Sequence, residues 1–173
     1  DMPTAKEIVE RHRSAGKLPI LYLHEARKSI SLARNLAVAA AKGDYIAFID
    51  DDEFPEPGWI EAHMQCLEDW PVDGVLGPVI PYFEDPPPSW ILKGKLAERP
   101  RHATGTSIGQ EDMRTGNAVL RRSLFHEDRY PFALKWGITG GGDTDFFERM
   151  VKRGRKFVWC DEGRVFETIP PER

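Results

Sequence analysis

A chain of 173 residues can form one α/β domain with a real core, and its 40% hydrophobic and 30% charged content is ordinary for a soluble globular protein, so a second domain is not expected. A net charge of −4 and a pI near 5.8 leave no basic footprint for nucleic acid. No apolar run approaches the roughly 20 residues of a spanning helix, the N-terminus lacks a signal-peptide layout, and Cys66 and Cys160 have neither metal-ligand spacing nor disulfide density, which together point to a reducing cytoplasm.

The chain opens with Asp1 rather than Met, so further sequence is expected upstream. Thr4-Ala5-Lys6-Glu7 reads as a capping box, followed by a helix to about Ala15 with Ile8, Val9 and His12 on one face. Gly16 ends it, and residues 18–23 form an apolar run of strand length. Ile30, Ala33, Leu36, Ala37 and Ala40 recur at helical spacing until Lys42-Gly43. The apolar stretch Tyr45–Ile49 then reads as a buried strand of a parallel sheet. Helix and strand alternating over short links predict a doubly wound α/β fold, a Rossmann-like and mostly parallel sheet flanked by helices. Trp59 opens another helix carrying Ile60, Met64 and Leu67, and residues 72–81 read as one Gly-interrupted strand.

Residues 82–110 form a long Pro-rich loop within the single domain, a length that is usually functional or disordered. There, Trp90 and Ile91 read first as a plug over the core and otherwise as a lid or a membrane-surface contact. Residues 117–120 are a short strand. Residues 140–145 lead into a helix with a Phe146, Phe147, Met150 and Val151 stripe, and residues 156–160 and 164–166 are two closing strands.

Two acidic segments carry the chemistry. Tyr45–Ile49 runs into Asp50-Asp51-Asp52-Glu53, at the strand end where open α/β sheets bind ligands. Alternation along an extended chain puts Asp50 and Asp52 on one face and Asp51 and Glu53 on the other. Hard oxygen donors without Cys or His suit Mg²⁺ or Mn²⁺, with positions left open for substrate phosphates. The competing reading is a solvated acidic turn. In Gly140-Gly141-Gly142-Asp143-Thr144-Asp145, three glycines bring a carboxylate to a helix start. Asp143 or Thr144 as a plain N-cap, worth about 1 kcal/mol, competes with a base held over a cleft.

In order and spacing these segments resemble the family 2 glycosyltransferases of GT-A fold. Ala33-Arg34-Asn35 and Asp50-Asp51-Asp52 resemble the family's ARN segment and DxD motif, Thr115-Gly116-Asn117 the turn lining the acceptor cleft, and Gly142-Asp143-Thr144-Asp145 through Arg149 its acidic acceptor segment. The resemblance implies Arg34, Asn35, Asp50 and Asp51 beside the nucleotide, and Asp50 and Asp52 on a Mg²⁺ or Mn²⁺ ion. It makes Asp143 the catalytic base with Asp145 in reserve, and puts Thr115, Gly116, Asn117, Gly141 and Gly142 in the acceptor cleft. The chain departs from the pattern at three places. Gly142 stands where the family commonly has Glu. Glu167 stands where many members have a metal-binding His, and reads either as an oxygen ligand or as a partner of Arg173. The family's first strand has no counterpart, so residues 1–173 read as an N-terminally truncated catalytic domain.

The function implied is inverting transfer of a sugar from a nucleotide-diphosphate-sugar to an acceptor hydroxyl, in surface polysaccharide or glycolipid synthesis. The expected partners are that donor and a carbohydrate or lipid-linked acceptor, not nucleic acid. A peripheral contact at the inner face of the membrane and a homodimer are also admitted. Pro170-Pro171-Glu172-Arg173 reads as a cleft closure or a tail. The rivals are a metal-dependent nucleotidyltransferase, which would be expected to keep a Gly-rich phosphate loop, and a non-catalytic sugar- or protein-binding derivative.

Overall fold

The computed structural model of the protein describes residues 4–16, 19–94 and 98–170. Arg173 and the closing Pro171-Glu172 therefore lie outside the described residues. Helix α1 (Ala5–Ala15) starts on the capping box that the sequence announces, with Thr4 Oγ1 accepting from Glu7 N and Glu7 reaching back to Thr4 N. Helix α2 (Ile30–Ala40) starts on Ser29, whose Oγ accepts from Leu32 N at 3.3 Å. Strands β1 (Tyr45–Ile49) and β2 (Glu53–Pro55), helix α3 (Trp59–Asp69), and strands β3 (Gly74–Leu76) and β4 (Val79–Tyr82) follow. Helix α4 (Ser89–Gly94), strand β5 (Asn117–Arg121), helix α5 (Gly142–Lys152), and strands β6 (Phe157–Trp159) and β7 (Val165–Thr168) complete the described elements, with short 3-10 turns between them.

The α/β class with flanking helices is as expected, and its strands form two sheets. The larger has the order β1-β5-β3-β6, the smaller β2-β7-β4. Parallel pairing is confined to β3–β6 and β4–β7, each joined through the α5 region. β5 runs antiparallel to both β1 and β3, because the chain reaches it through the long loop rather than through a helical crossover that would restore the direction. The sheet is therefore mixed, not mostly parallel.

The run at residues 72–81 is two strands in different sheets, β3 and β4, broken at Gly77-Pro78. A Cβ on Gly77 would sit 2.7 Å from Asn117 Nδ2, so the chain turns there with its backbone pressed against a side chain. Residues 19–23 form no strand. The latter part of the loop lies along β6, with Trp159 N donating to Thr106 O (2.9 Å) and Gly105 N to Trp159 O (2.8 Å). Trp90 is 61% exposed and plugs nothing, whereas Ile91 helps line an apolar depression of about 210 Å³ against Ile169.

The main core is aromatic. Phe125, Phe132, Phe146, Phe147 and Phe157 are buried and touch in a chain, Phe125 stacked on Phe146 with centroids 5.1 Å apart. Three of α5's stripe residues, Phe146, Phe147 and Met150, are fully enclosed there, which fixes the helix that carries Asp143. Val151, the fourth, is exposed. A second cluster beneath α3 includes Leu67, Val75, Val119 and the two free cysteines, and burial pushes the Cys66 thiol up to about 12. Among the described residues, no helix is long and apolar enough to cross a membrane.

Candidate active site

Strand β1 ends at Ile49, and the acids after it lie in a turn rather than on an extended strand. Glu53 N donates to Asp50 O (3.2 Å) and Glu53 Oε2 accepts from Asp50 N (2.8 Å), closing the turn around Asp51 and Asp52. Alternation therefore does not govern which acids converge. The carboxylate brought beside Asp50 is that of Glu53, and the two meet at Gly116. A Cβ there would be 2.6 Å from Glu53 Oε1 and 3.3 Å from Asp50 Oδ2. Glycine at this position lets the acids rest against the backbone at the start of β5.

Burial raises the Asp50 carboxyl above its usual range; Arg34, with Nη2 3.6 Å from Oδ1, pulls it down, and Asp52, Asp51 and Asp143 push it up. Burial likewise pushes Glu53 up to about 7, with Asp50 and Glu167 adding to the rise. Asp51 and Asp52 are exposed, and the Asp52 carbonyl accepts from Thr168 N at 2.9 Å, tying the turn to β7. Glu167 faces Glu53 across the β2–β7 pair and accepts from Arg99 Nη2 at 2.5 Å. Among the described residues, no three His, Cys, Asp or Glu side chains are grouped so as to hold a metal ion.

Gly140 and Gly141 have φ of 78° and 86°, the left-handed region that glycine enters without penalty. They turn the chain into α5 with no side-chain cap, and Gly142 is buried beside Ser31 and Trp136. This delivers Asp143 to the first turn of α5, where its Oδ1 accepts only the adjacent Thr144 N (3.0 Å) among the described residues. Asp143, Asp50, Gly116 and Asn117 line one cleft of about 400 Å³.

The other predicted residues lie off that lining. Asp145 accepts from Trp136 Nε1 (3.0 Å) and Arg149 Nε (2.9 Å). Burial raises its carboxyl, but the hydrogen bonds from Trp136, Arg149 and Lys135 together hold it below the usual range. It anchors the loop before α5 and is a weak base. Asn35 gives both ends of its amide to the Phe132 backbone, Nδ2 to the carbonyl (2.8 Å) and Oδ1 from the N–H (3.0 Å). Arg34 lies over the Phe132 ring and beside Asp50. Thr115, Gly141 and Gly142 are not part of the cleft lining: Thr115 and Gly142 are buried and Gly141 is exposed.

Asn117 is buried and its amide is fully occupied. Oδ1 accepts from Trp59 Nε1 (2.8 Å), while Nδ2 donates to Pro78 O (2.9 Å) and Gly163 O (2.7 Å). One turn beyond Trp59, His63 packs on Gly163 with Nδ1 2.9 Å from Trp59 O, and its Nε2 has no protein partner among the described residues. Burial holds the imidazole below its ordinary 6.5, against the hydrogen bond to Trp59 O, which raises it. The unfolded chain thus takes up a proton first as the pH falls. His63 contributes stability that is complete above the unfolded value of 6.5 and is lost as the pH falls from there toward the lower folded value. Urea unfolding between about pH 7.5 and 5 should therefore show a steeper loss of stability in the wild type than in His63→Gln. Parallel curves would mean that the fold leaves the proton affinity of His63 where it is in the unfolded chain.

The sequence reading passed over the far wall of the cleft. Arg99, Pro100, Glu111, Asp112 and Arg114 line it, all from the long loop or the turn after it. His102 ties that wall together, with Nε2 2.9 Å from Asp112 Oδ2 and its ring edge-on to Trp159. The signal available was the alternation of Arg, Pro and His at residues 99–102, basic residues in a loop too long to be a plain connection.

Comparison with known proteins gives a consistent result. Residues 2–129 match the family described as glycosyl transferase family 2. The succinoglycan biosynthesis protein ExoM of Rhizobium meliloti (strain 1021) is 33% identical over 99% of this chain and 55% of its own length. Chondroitin synthase of Escherichia coli is 22% identical over 96% of this chain and 29% of its own. The crystal structure of S. aureus TarS 1-349 in complex with UDP-GlcNAc superposes with a TM-score of 0.67 at 17% identity, covering 95% of this chain and 46% of that one, which shows a shared fold. The chain thus spans about half of ExoM and less of the synthase.

Proposed function

The chain belongs to glycosyl transferase family 2, and we propose that its cleft transfers a sugar from a nucleoside-diphosphate donor to an acceptor hydroxyl with inversion at the anomeric carbon. One observation carries this reading: Asp143, a carboxylate with a single local hydrogen bond, faces the same cleft as Asp50 across the floor made by Gly116. Asp143 takes the acceptor proton as that oxygen attacks the anomeric carbon, and the nucleoside diphosphate leaves from the opposite face. Asp145 and Arg149 keep the base's helix seated rather than exchanging protons.

The donor set fits a cation held by one or two carboxylates and completed by substrate phosphates, because Asp50 has hard oxygen donors at the cleft and Asp52 lies two residues on, while no three-residue protein cage exists among the described residues. Asp50, with Asp52, would hold Mg²⁺ or Mn²⁺, and the ion would neutralise charge on the leaving diphosphate. Arg34 holds the Asp50 carboxylate in place.

The likeness to ExoM, a succinoglycan biosynthesis protein, and to chondroitin synthase favours a growing polysaccharide, free or lipid-linked, as acceptor. The UDP-GlcNAc in the TarS complex favours a uridine nucleotide. Two buried free thiols suit a cytoplasmic reaction, and the exposed Trp90 is the residue suited to a membrane surface beside a lipid-linked acceptor.

A panel of UDP-sugars with Mn²⁺, read as UDP release with and without oligosaccharide acceptors, tests the reading. Asp50→Asn is expected to lower UDP release at least about a hundredfold and to abolish its dependence on added Mn²⁺. Metal-dependent release that survives the substitution would place the ion elsewhere. Wild-type release from none of the sugars, with sugar binding intact, would favour a binding module.

A further inference from the structure

We infer that Arg99 is a second source of positive charge for the leaving diphosphate, held over the cleft by Glu167. The inference rests on the transferase reading and adds a residue that the family's motifs do not supply.

Glu167 and Glu53 are directly opposed in the antiparallel β2–β7 pair, so both carboxylates leave the small sheet on one side. Like charges opposite one another destabilise a sheet unless a cation lies between them. Arg99 answers that need, with Nη2 2.5 Å from Glu167 Oε2 and a charge that also lowers the Glu53 carboxyl against its burial. Where the resemblance implies a metal ligand, this chain has a carboxylate bound to a guanidinium.

Arg99 is not a mere rim charge. It lines the same cleft as Asp50, Gly116 and Asp143, and Pro100 beside it fixes the backbone that presents it. Its guanidinium has five N–H donors, of which one is used within the described residues. A planar fork tethered at one corner suits a phosphate more than a single carboxylate, because the remaining donors stay aimed in parallel. The loop is anchored just beyond by Arg101, which donates to both oxygens of Asp161 (2.9 and 2.7 Å). The charge is thus positioned before any ligand arrives. As the anomeric C–O bond breaks, its electron pair goes to the diphosphate oxygen that Arg99 faces; the new C–O bond forms from the acceptor oxygen, whose proton goes to Asp143. Glu167 is a positioning residue and touches no reacting atom.

Calorimetric titration of the chain with UDP, in EDTA and again in Mn²⁺, tests this, with UMP as the ligand lacking the second phosphate. Arg99→Gln is expected to raise the Kd for UDP in EDTA about ten- to hundredfold, to change that for UMP far less, and to lower the melting temperature modestly, because Glu53 and Glu167 lose the cation they share. Arg99→Lys should recover part of the loss. Glu167→Gln should act in the same direction more weakly, without changing Mn²⁺ affinity. An unchanged UDP Kd in Arg99→Gln overturns the inference, as does a loss of Mn²⁺ binding in Glu167→Gln, which would make Glu167 a metal ligand. A wild-type chain that binds no UDP and releases none from any UDP-sugar removes the transferase reading itself. That result differs from wild-type binding that is indifferent to Arg99.

Discussion

Asp143→Asn is expected to lower kcat for sugar transfer by about 10²- to 10⁴-fold, the span that a general base contributes, while unfolding free energy falls by less than about 1 kcal/mol. The two effects separate because the amide keeps what the fold uses. Oδ1 still accepts Thr144 N, and only the weak attraction between a negative charge and the amino end of α5 is lost. KM for the donor should hardly move, since the base meets the acceptor and not the nucleotide. A drop in melting temperature matching the loss of kcat would show that Asp143 is a helix-start residue and nothing more. Asp145→Asn is the informative contrast: it weakens the pairs to Arg149 and Trp136, so its cost should appear mainly as stability.

What the sequence made legible was whatever is written in adjacent residues. The capping box at Thr4, the α5 stripe, the apolar strand β1 and the glycine-led entry to Asp143 are local patterns, and the structure has them where the pattern lies, although β1 is a half-buried edge strand antiparallel to β5 rather than a buried strand of a parallel sheet. The acids after β1 were legible as a site but not in their arrangement. Alternation presumes an extended chain, and the backbone turns at Asp50 as soon as Glu53 closes on it. Glu53-Phe54-Pro55 did not read as a strand because a proline-ended triplet has no periodicity; it forms β2 because β7 pairs with it from over a hundred residues away. The far wall of the cleft was hidden for the same reason. Arg99 and His102 owe their positions to Glu167 and Asp112, and no local rule links those residues. Asn35 shows the converse: a motif residue expected beside the nucleotide spends its whole amide on the Phe132 backbone.

Asn117 is where these distant contacts converge, and its removal should have the largest effect on stability. Its side chain joins α3 through Trp59, the β3–β4 turn through Pro78 and the β6–β7 turn through Gly163, directly behind the glycine on which Asp50 and Glu53 rest. Asn117→Ala leaves the Gly163 carbonyl and the Trp59 indole N–H without partners, while the Pro78 carbonyl keeps its bond from Val165 N (3.1 Å). An unsatisfied buried group costs about 1–3 kcal/mol, and the two share one small cavity that a water can partly satisfy, so the expected loss is about 2–4 kcal/mol. That is a large fraction of the 5–15 kcal/mol typical of a folded domain. Trp59→Phe removes the indole donor together with part of the ring that packs on His63, and should cost about 1–3 kcal/mol. Because the two residues share a bond, the double variant should fall short of the sum by about 1 kcal/mol. Denaturant unfolding of the four proteins at one pH measures all of this. Asn117→Ala costing less than about 1 kcal/mol, or full additivity with Trp59→Phe, would mean that the cleft floor is held by the sheet alone.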